Sequence, residues 1–386
     1  MSARPPRILP RILHCHSTFS LGGKEARAVR LMNQFGDRAR HVILSAVPDA
    51  LGARDAIGAG IDVQFPGDAA PALHGKPGLA RYLALARYMR GFDLVLSYNW
   101  GSMDAVMAHR LLGGAMRLPP LIHHEDGFNA DEAARRNPKR NIFRRLVLPT
   151  AHALVVPSDI LAGIAQREWH AGDRLHQISN GIDTGDYAAP PAPDAIPGFA
   201  RHAGEIVIGS LAGLRAVKDL PLLVEAVALA ASESGLPLRL IIVGEGPERA
   251  NILAKAAELG FADRLILPGF LPDPARYVGH FDILALSSLS EQQPISVMEG
   301  MAAALPIIAP MVGDVAAMVA AENAPFITTE RSAGALARAI VALARDGDLR
   351  CTIGAANALR ARASFDAGDM IARYQALYAD ALGRAF

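Results

Sequence analysis

At 386 residues the chain has room for two domains at ~150 residues each, and its 51% hydrophobic and 20% charged composition excludes a disordered chain. Its two cysteines, Cys15 and Cys351, lie far apart and in no Cys/His spacing, which excludes a disulfide framework and a structural zinc site. The net charge of +1 argues against nucleic-acid binding, yet residues 1–190 carry 23 Lys+Arg against 17 Asp+Glu and the remainder 16 against 21. A basic first half is expected to meet something anionic, with chance surface composition as the plain alternative.

In chain order, the opening residues lack the continuous apolar stretch of a leader. Short β-branched runs at 12–16, 41–46, 93–97, 121–123 and 153–157 read as strands, with amphipathic helical patterns at 25–34, 78–90 and 102–112 between them. Residues 187–205 hold Pro190, Pro191, Pro193 and Pro197 and read as an extended linker. Beyond it come short apolar runs at 206–210, 238–243, 265–267, 283–286, 306–308 and 326–328, most followed by a helical stretch. Short apolar strands separated by helices mean parallel sheets covered on both faces. The expected architecture is therefore α/β, two doubly wound domains at 1–186 and 205–365 joined by a 187–204 linker. Ligand is expected at the strand C-termini facing a cleft. The weakly polar run 300–312 contains Pro306 and Pro310 and is too short for a bilayer, so a cytoplasmic protein is expected.

The most informative run is Ser288-Leu-Ser-Glu-Gln-Gln-Pro-Ile-Ser-Val-Met-Glu-Gly300. Pro294 suits the first position of a helix. The amides of Ile295, Ser296 and Val297 would then point out of the helix start, where a phosphate is favoured. Glu291 falls in the loop before that helix and Glu299 inside it, so two carboxylates flank one anion site. A solvent-facing loop residue and a helix-surface residue are the plain alternatives. After the linker, Gly209-Ser-Leu-Ala-Gly-Leu-Arg-Ala-Val-Lys-Asp219 reads as strand, loop and helix start, with Asp219 as a cap. Arg215 and Lys218 sit in that loop, a planar fork and a mobile point charge suited to phosphate oxygens. Gly22-Gly23 ends the loop after the first strand, so backbone can approach a ligand there. His123-His124-Glu125-Asp126 closes another strand with four polar groups, and a structural histidine remains open for either position. Gly244-Glu-Gly246 lacks the third glycine of a dinucleotide fingerprint, Arg249 standing in its place. Asp346-Gly-Asp348 reads as a loop, and no other pattern has metal-ligand spacing.

Together these residues resemble the retaining glycosyltransferases of family 4, with the two-Rossmann GT-B fold. The marker is the pair Glu291 and Glu299, eight positions apart in Glu-Gln-Gln-Pro-Ile-Ser-Val-Met-Glu. It is joined in order by Gly22-Gly23, His123, Asn180-Gly-Ile-Asp183, Arg215 with Lys218, Gly244-Glu-Gly-Pro247 and Pro268-Gly-Phe270. The resemblance implies that Glu299 binds the ribose of a nucleotide-diphosphate sugar. It implies that Arg215, Lys218, Gly22, Gly23 and the helix start at Ile295, Ser296 and Val297 hold the diphosphate, and that backbone near Phe270 meets the base. Glu291 would contact the transferred sugar, and His123 the sugar or acceptor. A UDP-sugar is the commonest donor, no metal is required, and the acceptor is a glycan, a lipid-linked sugar or a small molecule. Residues 366–386, with Tyr374 and Tyr378, would cross back to brace the first domain. Gln292 and Gln293 depart from the small residue usual after the first glutamate.

Three other functions share the fold class: a non-catalytic nucleotide-sugar-binding protein, a nicotinamide oxidoreductase and a sugar-nucleotide epimerase. The broken glycine fingerprint counts against the oxidoreductase. A further expectation concerns the stretch from Arg135 to Arg145, whose six cations precede an apolar run. It reads as a peripheral contact with an anionic membrane, or as a solvated helix face.

Overall fold

The computed structural model describes residues 9–385 apart from 21, 77, 129–131 and 133–135. The chain divides into two compact units, one of Met1–Ser179 with Met370–Phe386 and one of Asn180–Asp369.

The first unit is a parallel sheet of β1 (Arg11–His16), β2 (Arg40–Ser45), β3 (Val63–Gln64), β4 (Leu94–Tyr98), β5 (Leu121–His124), β6 (Ala153–Val156) and β7 (Leu175–Gln177). The order across the sheet is β3-β2-β1-β4-β5-β6-β7. The second unit repeats the plan with β8 (Ile206–Leu211), β9 (Leu238–Val243), β10 (Leu265–Gly269), β11 (Ile283–Ala285), β12 (Ile307–Pro310) and β13 (Ile327–Thr328), in the order β10-β9-β8-β11-β12-β13. Both are doubly wound α/β units, as the alternation of short apolar runs and helices requires. In each, chain order reverses beside the first strand, so the crevices for ligand lie at the ends of β1 and β4 and of β8 and β11.

The second unit shows why the helices form. Leu220–Ser234 opens with Pro221 in its first turn and ends at Gly235 (φ 69°), whose amide bonds Ala231 O. Its buried Leu223, Val224 and Val227 pack with Leu336, Ile340 and Leu343 of Ala333–Arg345. Ser332 caps the latter by accepting the Ala335 amide at 3.2 Å. Each such leucine contributes on the order of 2 kcal/mol by leaving water.

Four expectations change. Strands β3 and β7 lie at the sheet edges, are two and three residues long and are only partly buried, so they carry no apolar run. The proline segment is no free spacer. Ile196 enters the second unit's core with Ile182, Ala192 exchanges hydrogen bonds with Arg276 O and His280, and the units divide at 179/180. Asp219 does occupy the N-cap of Leu220–Ser234, but in a left-handed conformation with no capping bond, its carboxylate pairing with Arg331 instead. Asp346 is itself a cap, accepting the Leu349 amide at 2.8 Å. The last helix, Ala367–Leu382, gives Tyr374 and Tyr378 to the core of the first unit, beside Tyr98 and Phe35.

Candidate active site

The loops after β8 and β11 converge at the switch point of the second unit. Lys218 Nζ meets Glu291 Oε1 at 2.5 Å, and Ser288 Oγ donates to the same oxygen at 2.7 Å. Both side chains are mostly buried, Lys218 at 17% and Glu291 at 10% exposure. Ser287 Oγ donates to Lys218 O at 3.0 Å, and the Leu289 amide to Val217 O at 2.8 Å. Ser210, Leu211, Ala212, Leu286, Ser287 and Ser288 line a recess here together with Lys218 and Glu291. Arg215 stands exposed on the same loop.

Two glycine devices hold these loops. Gly244 and Gly246 have φ of 148° and 156°, and a Cβ would fall 1.9 Å from Ala212 O and 2.4 Å from Leu214 O respectively. The Gly-Glu-Gly turn is thus a buttress that lets two backbones touch under Arg215. Leu214 N donates to Glu245 O at 2.9 Å, and Glu248 N to Leu214 O at 3.0 Å. On the other side, Gly313 (φ 54°) lies so close that a Cβ would sit 2.4 Å from Glu291 O, and the Asp314 amide bonds Gln292 O at 2.8 Å.

The helix Ile295–Ala302 begins one residue later than the sequence suggests. Pro294 is its N-cap, with ψ of 124°, and not its first helical residue. Val297 N donates to Pro294 O at 3.2 Å, so Val297 drops from the expected anion donors and Ile295 and Ser296 remain at the helix start. Glu299 follows on this helix, half-buried. The Tyr277 phenol is pushed above its ordinary value, first by burial and then by the carboxylates of Glu299 and Asp273, which places Glu299 within electrostatic reach of that ring. Tyr277 also donates to Leu271 O at 3.3 Å, next to Phe270, which follows β10 and is 56% exposed. Gln293, one of the two departures that follow the first glutamate, is buried and bonded to Asn180, a role no spacing signalled.

In the first unit, the loops after β1, β4 and β5 gather at its own switch point. Gly22 is the N-cap of Gly23–Phe35. A Cβ on it would stand 3.0 Å from the buried Glu25 carboxylate, which pairs with Lys24. His123 and His124 separate clearly. His124 stacks on Tyr98 at 4.6 Å and on Tyr374, and burial drives its pKa down to about 3. His123 is fully buried, its Nδ1 2.8 Å from Ser97 Oγ and its Nε2 3.8 Å from Glu125 Oε2. Glu125 is held in turn by the buried Arg144, whose guanidinium lies over the rings of Trp100, Phe128 and Trp169. Sequence reasoning missed Glu125 and Arg144 as a pair because 19 positions separate them.

The basic stretch is largely spent inside the unit. Arg136 pairs with Glu168, Arg140 with Glu132, and Arg144 with Glu125 and Glu132, while Arg135 lies outside the described residues. On the helix Pro138–Val147, the exposed residues are Pro138, Lys139, Ile142, Arg145 and Leu146. Among the described residues no helix is long and apolar enough to cross a membrane.

Two Rossmann-like units, with cations and a helix start at a switch point, define a protein of the nucleotide-binding α/β class. Comparison with known proteins narrows this. Residues 21–186 match the model of Glycosyltransferase Family 4 and residues 205–346 that of Glycosyl transferases group 1. The chain belongs to the family 4 glycosyltransferases, enzymes of the GT-B fold that transfer sugars. It is 32% identical over 140 residues to the 2-deoxystreptamine glucosyltransferase of Streptomyces kanamyceticus, a match spanning 36% of either chain. It is 21% identical over 282 residues to the N-acetyl-alpha-D-glucosaminyl L-malate synthase of Bacillus anthracis, covering 72% of this chain and 71% of that one. In fold it is similar to Anabaena HepE solved with UDP, with a TM-score of 0.76 at 18% identity over 96% of this chain and 100% of the other.

Proposed function

We propose that the protein transfers a sugar, with retention of anomeric configuration, from a nucleotide-diphosphate sugar to a hydroxyl of a glycan, lipid-linked or small-molecule acceptor. A UDP-sugar is the first donor to test, since the similar HepE was solved with UDP and with UDP-glucose. The observation that carries the reading is the convergence of Lys218, Arg215, Glu291 and the Ile295–Ala302 helix start at one strand switch point. In the proposal, Arg215, Lys218 and the amides of Ile295 and Ser296 take the diphosphate. Its negative charge grows as the glycosyl–oxygen bond breaks, and fixed cations and amides stabilise it without a divalent metal. Glu299 grips the ribose beside Tyr277, and the backbone at Phe270 meets the base. Glu291 keeps Oε1 on Lys218 and Ser288 and turns its charge to the sugar as that becomes cationic. On the first unit, Gly22 and Gly23 offer backbone to a ligand, and His123 is the residue proposed to serve the sugar or acceptor. The acceptor hydroxyl attacks on the face the diphosphate leaves, and the departing phosphate oxygen takes its proton.

The test needs no acceptor. Slow hydrolysis of a panel of UDP-sugars, followed by proton NMR, should release the sugar first as the anomer present in the donor. Release of the opposite anomer would overturn retention, and conversion of donor to an isomeric UDP-sugar would favour the epimerase.

We place the reaction in the cytoplasm, in polysaccharide or glycoconjugate synthesis. A contact with an anionic membrane is carried by Lys139, Ile142, Arg145 and Leu146, and the two exposed cations Lys139 and Arg145 contribute about 1 kcal/mol each.

A further inference from the structure

The loop 288–294 is anchored at three successive residues to three different parts of the second unit. Glu291 goes to Lys218 and Ser288, the Gln292 carbonyl to the Asp314 amide, and Gln293 to Asn180. The third anchor has two bonds. The Asn180 amide donates to Gln293 Oε1 at 2.7 Å, and Asn180 Nδ2 donates to Gln293 O at 3.2 Å. Both residues are buried, at 8% and 9% exposure. A buried loop amide must find an acceptor, and here it takes one 113 positions away.

The location gives this bond its interest. Asn180 is the first residue of the second unit, where the chain leaves the first. Two residues on, the Ile182 amide donates to Phe365 O at 2.9 Å, and the Ala367 amide to Ile182 O at 2.9 Å. Residues 365–367 lie just before the chain returns at 369/370. Residues 180–182 are therefore tied at one end to the loop bearing Glu291 and the helix start, and at the other to the returning chain. Pro294 follows Gln293 directly, so any shift of the Gln293 backbone moves the amides of Ile295 and Ser296.

We propose that Gln293 is a positioning residue that couples occupancy of the phosphate site to the chain crossover at 179/180, through the hydrogen bond its side-chain oxygen accepts from the Asn180 amide. The inference rests on the donor-site reading above. An anion held by the Ile295 and Ser296 amides stiffens the Gln293–Pro294 segment, and that restraint passes through Oε1 to the Asn180 amide. Gln293→Leu removes the side-chain acceptor at similar volume, whereas Gln293→Glu keeps an acceptor for the Asn180 amide.

Hydrogen–deuterium exchange of peptides covering 178–186, with and without saturating UDP, reads the coupling, while calorimetry reads UDP affinity on the same samples. The account expects UDP to slow exchange at 180–182 by roughly fivefold or more in the parent and in Gln293→Glu. Gln293→Leu should still bind UDP, within about tenfold of the parent, but show no slowing at 180–182. UDP binding that leaves these amides unchanged in the parent overturns the inference while leaving the donor site intact. Slowing that persists in Gln293→Leu overturns it equally. Should Gln293→Leu not fold, the parent with and without UDP still decides. Failure of UDP, GDP and ADP alike to bind the parent removes the donor-site reading, and this inference with it.

Discussion

Exchanging each of the two carboxylates for its amide separates their work. Glu291→Gln keeps an oxygen for Lys218 and Ser288 and removes only the charge. At roughly 3 Å between charges and an effective dielectric near ~20, the gross attraction lost is ~5 kcal/mol. Both side chains retain some water contact and a neutral hydrogen bond survives, so the net loss of stability is nearer ~1 kcal/mol. Free UDP should bind about as well as before, within roughly threefold, because the Lys218 ammonium is no longer shared. Turnover should fall by about 10²–10³, since the charge that steadies the cationic sugar is gone. Glu299→Gln behaves oppositely. A charged hydrogen bond to ribose is worth about 1.5–3 kcal/mol in both ground and transition states. UDP affinity should therefore drop by roughly 10–100-fold. Calorimetry with UDP beside initial rates of donor hydrolysis makes the comparison. Equal loss of UDP affinity in both variants, or full turnover in Glu291→Gln, would rule out this division of roles.

Gly244→Ala should lower melting temperature and UDP affinity together, because its Cβ would enter Ala212 O and displace the Arg215 loop. Normal UDP affinity in a folded Gly244→Ala protein would contradict the buttress. The first unit should be acid-labile. Burial holds His14, His16, His41 and His124 below their ordinary value, His41 at about 4 and His124 at about 3. The unfolded chain then binds more protons than the native one below pH ~6.5, so stability is full above that pH and falls as pH drops toward 4, by up to ~1.4 kcal/mol per pH unit for each histidine. A melting temperature flat from pH 7 to 5 would count against this. Co-sedimentation with anionic vesicles should be weak and abolished by Lys139→Glu with Arg145→Glu, whereas equal binding to neutral vesicles would end the membrane contact.

The strands of the second unit were legible because each contains a short apolar run, almost wholly buried in the middle of the sheet, as at Leu238–Val243, and still apolar where it is only partly covered at an edge, as at Leu265–Leu267. The first unit's edge strands, such as Val63–Gln64, were not, since their pairing depends on a neighbour and not on their own composition. Of the site, Lys218 and Glu291 could be named from loop position and resemblance, but not that they would be bonded to one another across 73 positions. The doubled histidines could not be told apart either. Alternation along β5 sends one ring to each face of the sheet, and only the partners, Ser97 and Glu125 for one and Tyr98 and Tyr374 for the other, decide which is structural. Which cations of 136–145 stay exposed was illegible for a related reason. Sequence shows their charge but not the carboxylates that consume it.

If a nucleoside diphosphate binds between the ends of β8 and β11, thermal unfolding with a panel of UDP, GDP and ADP will show it. One of them, at about 100 times its dissociation constant, should stabilise the protein by ~2.7 kcal/mol, or about 5–10 °C for a unit of this size. Arg215→Ala with Lys218→Ala should lose that shift, starting from a melting temperature a few degrees lower without ligand because Glu291 is left without its cation. No shift with any nucleotide, or a full shift that survives removal of both cations, would contradict the account.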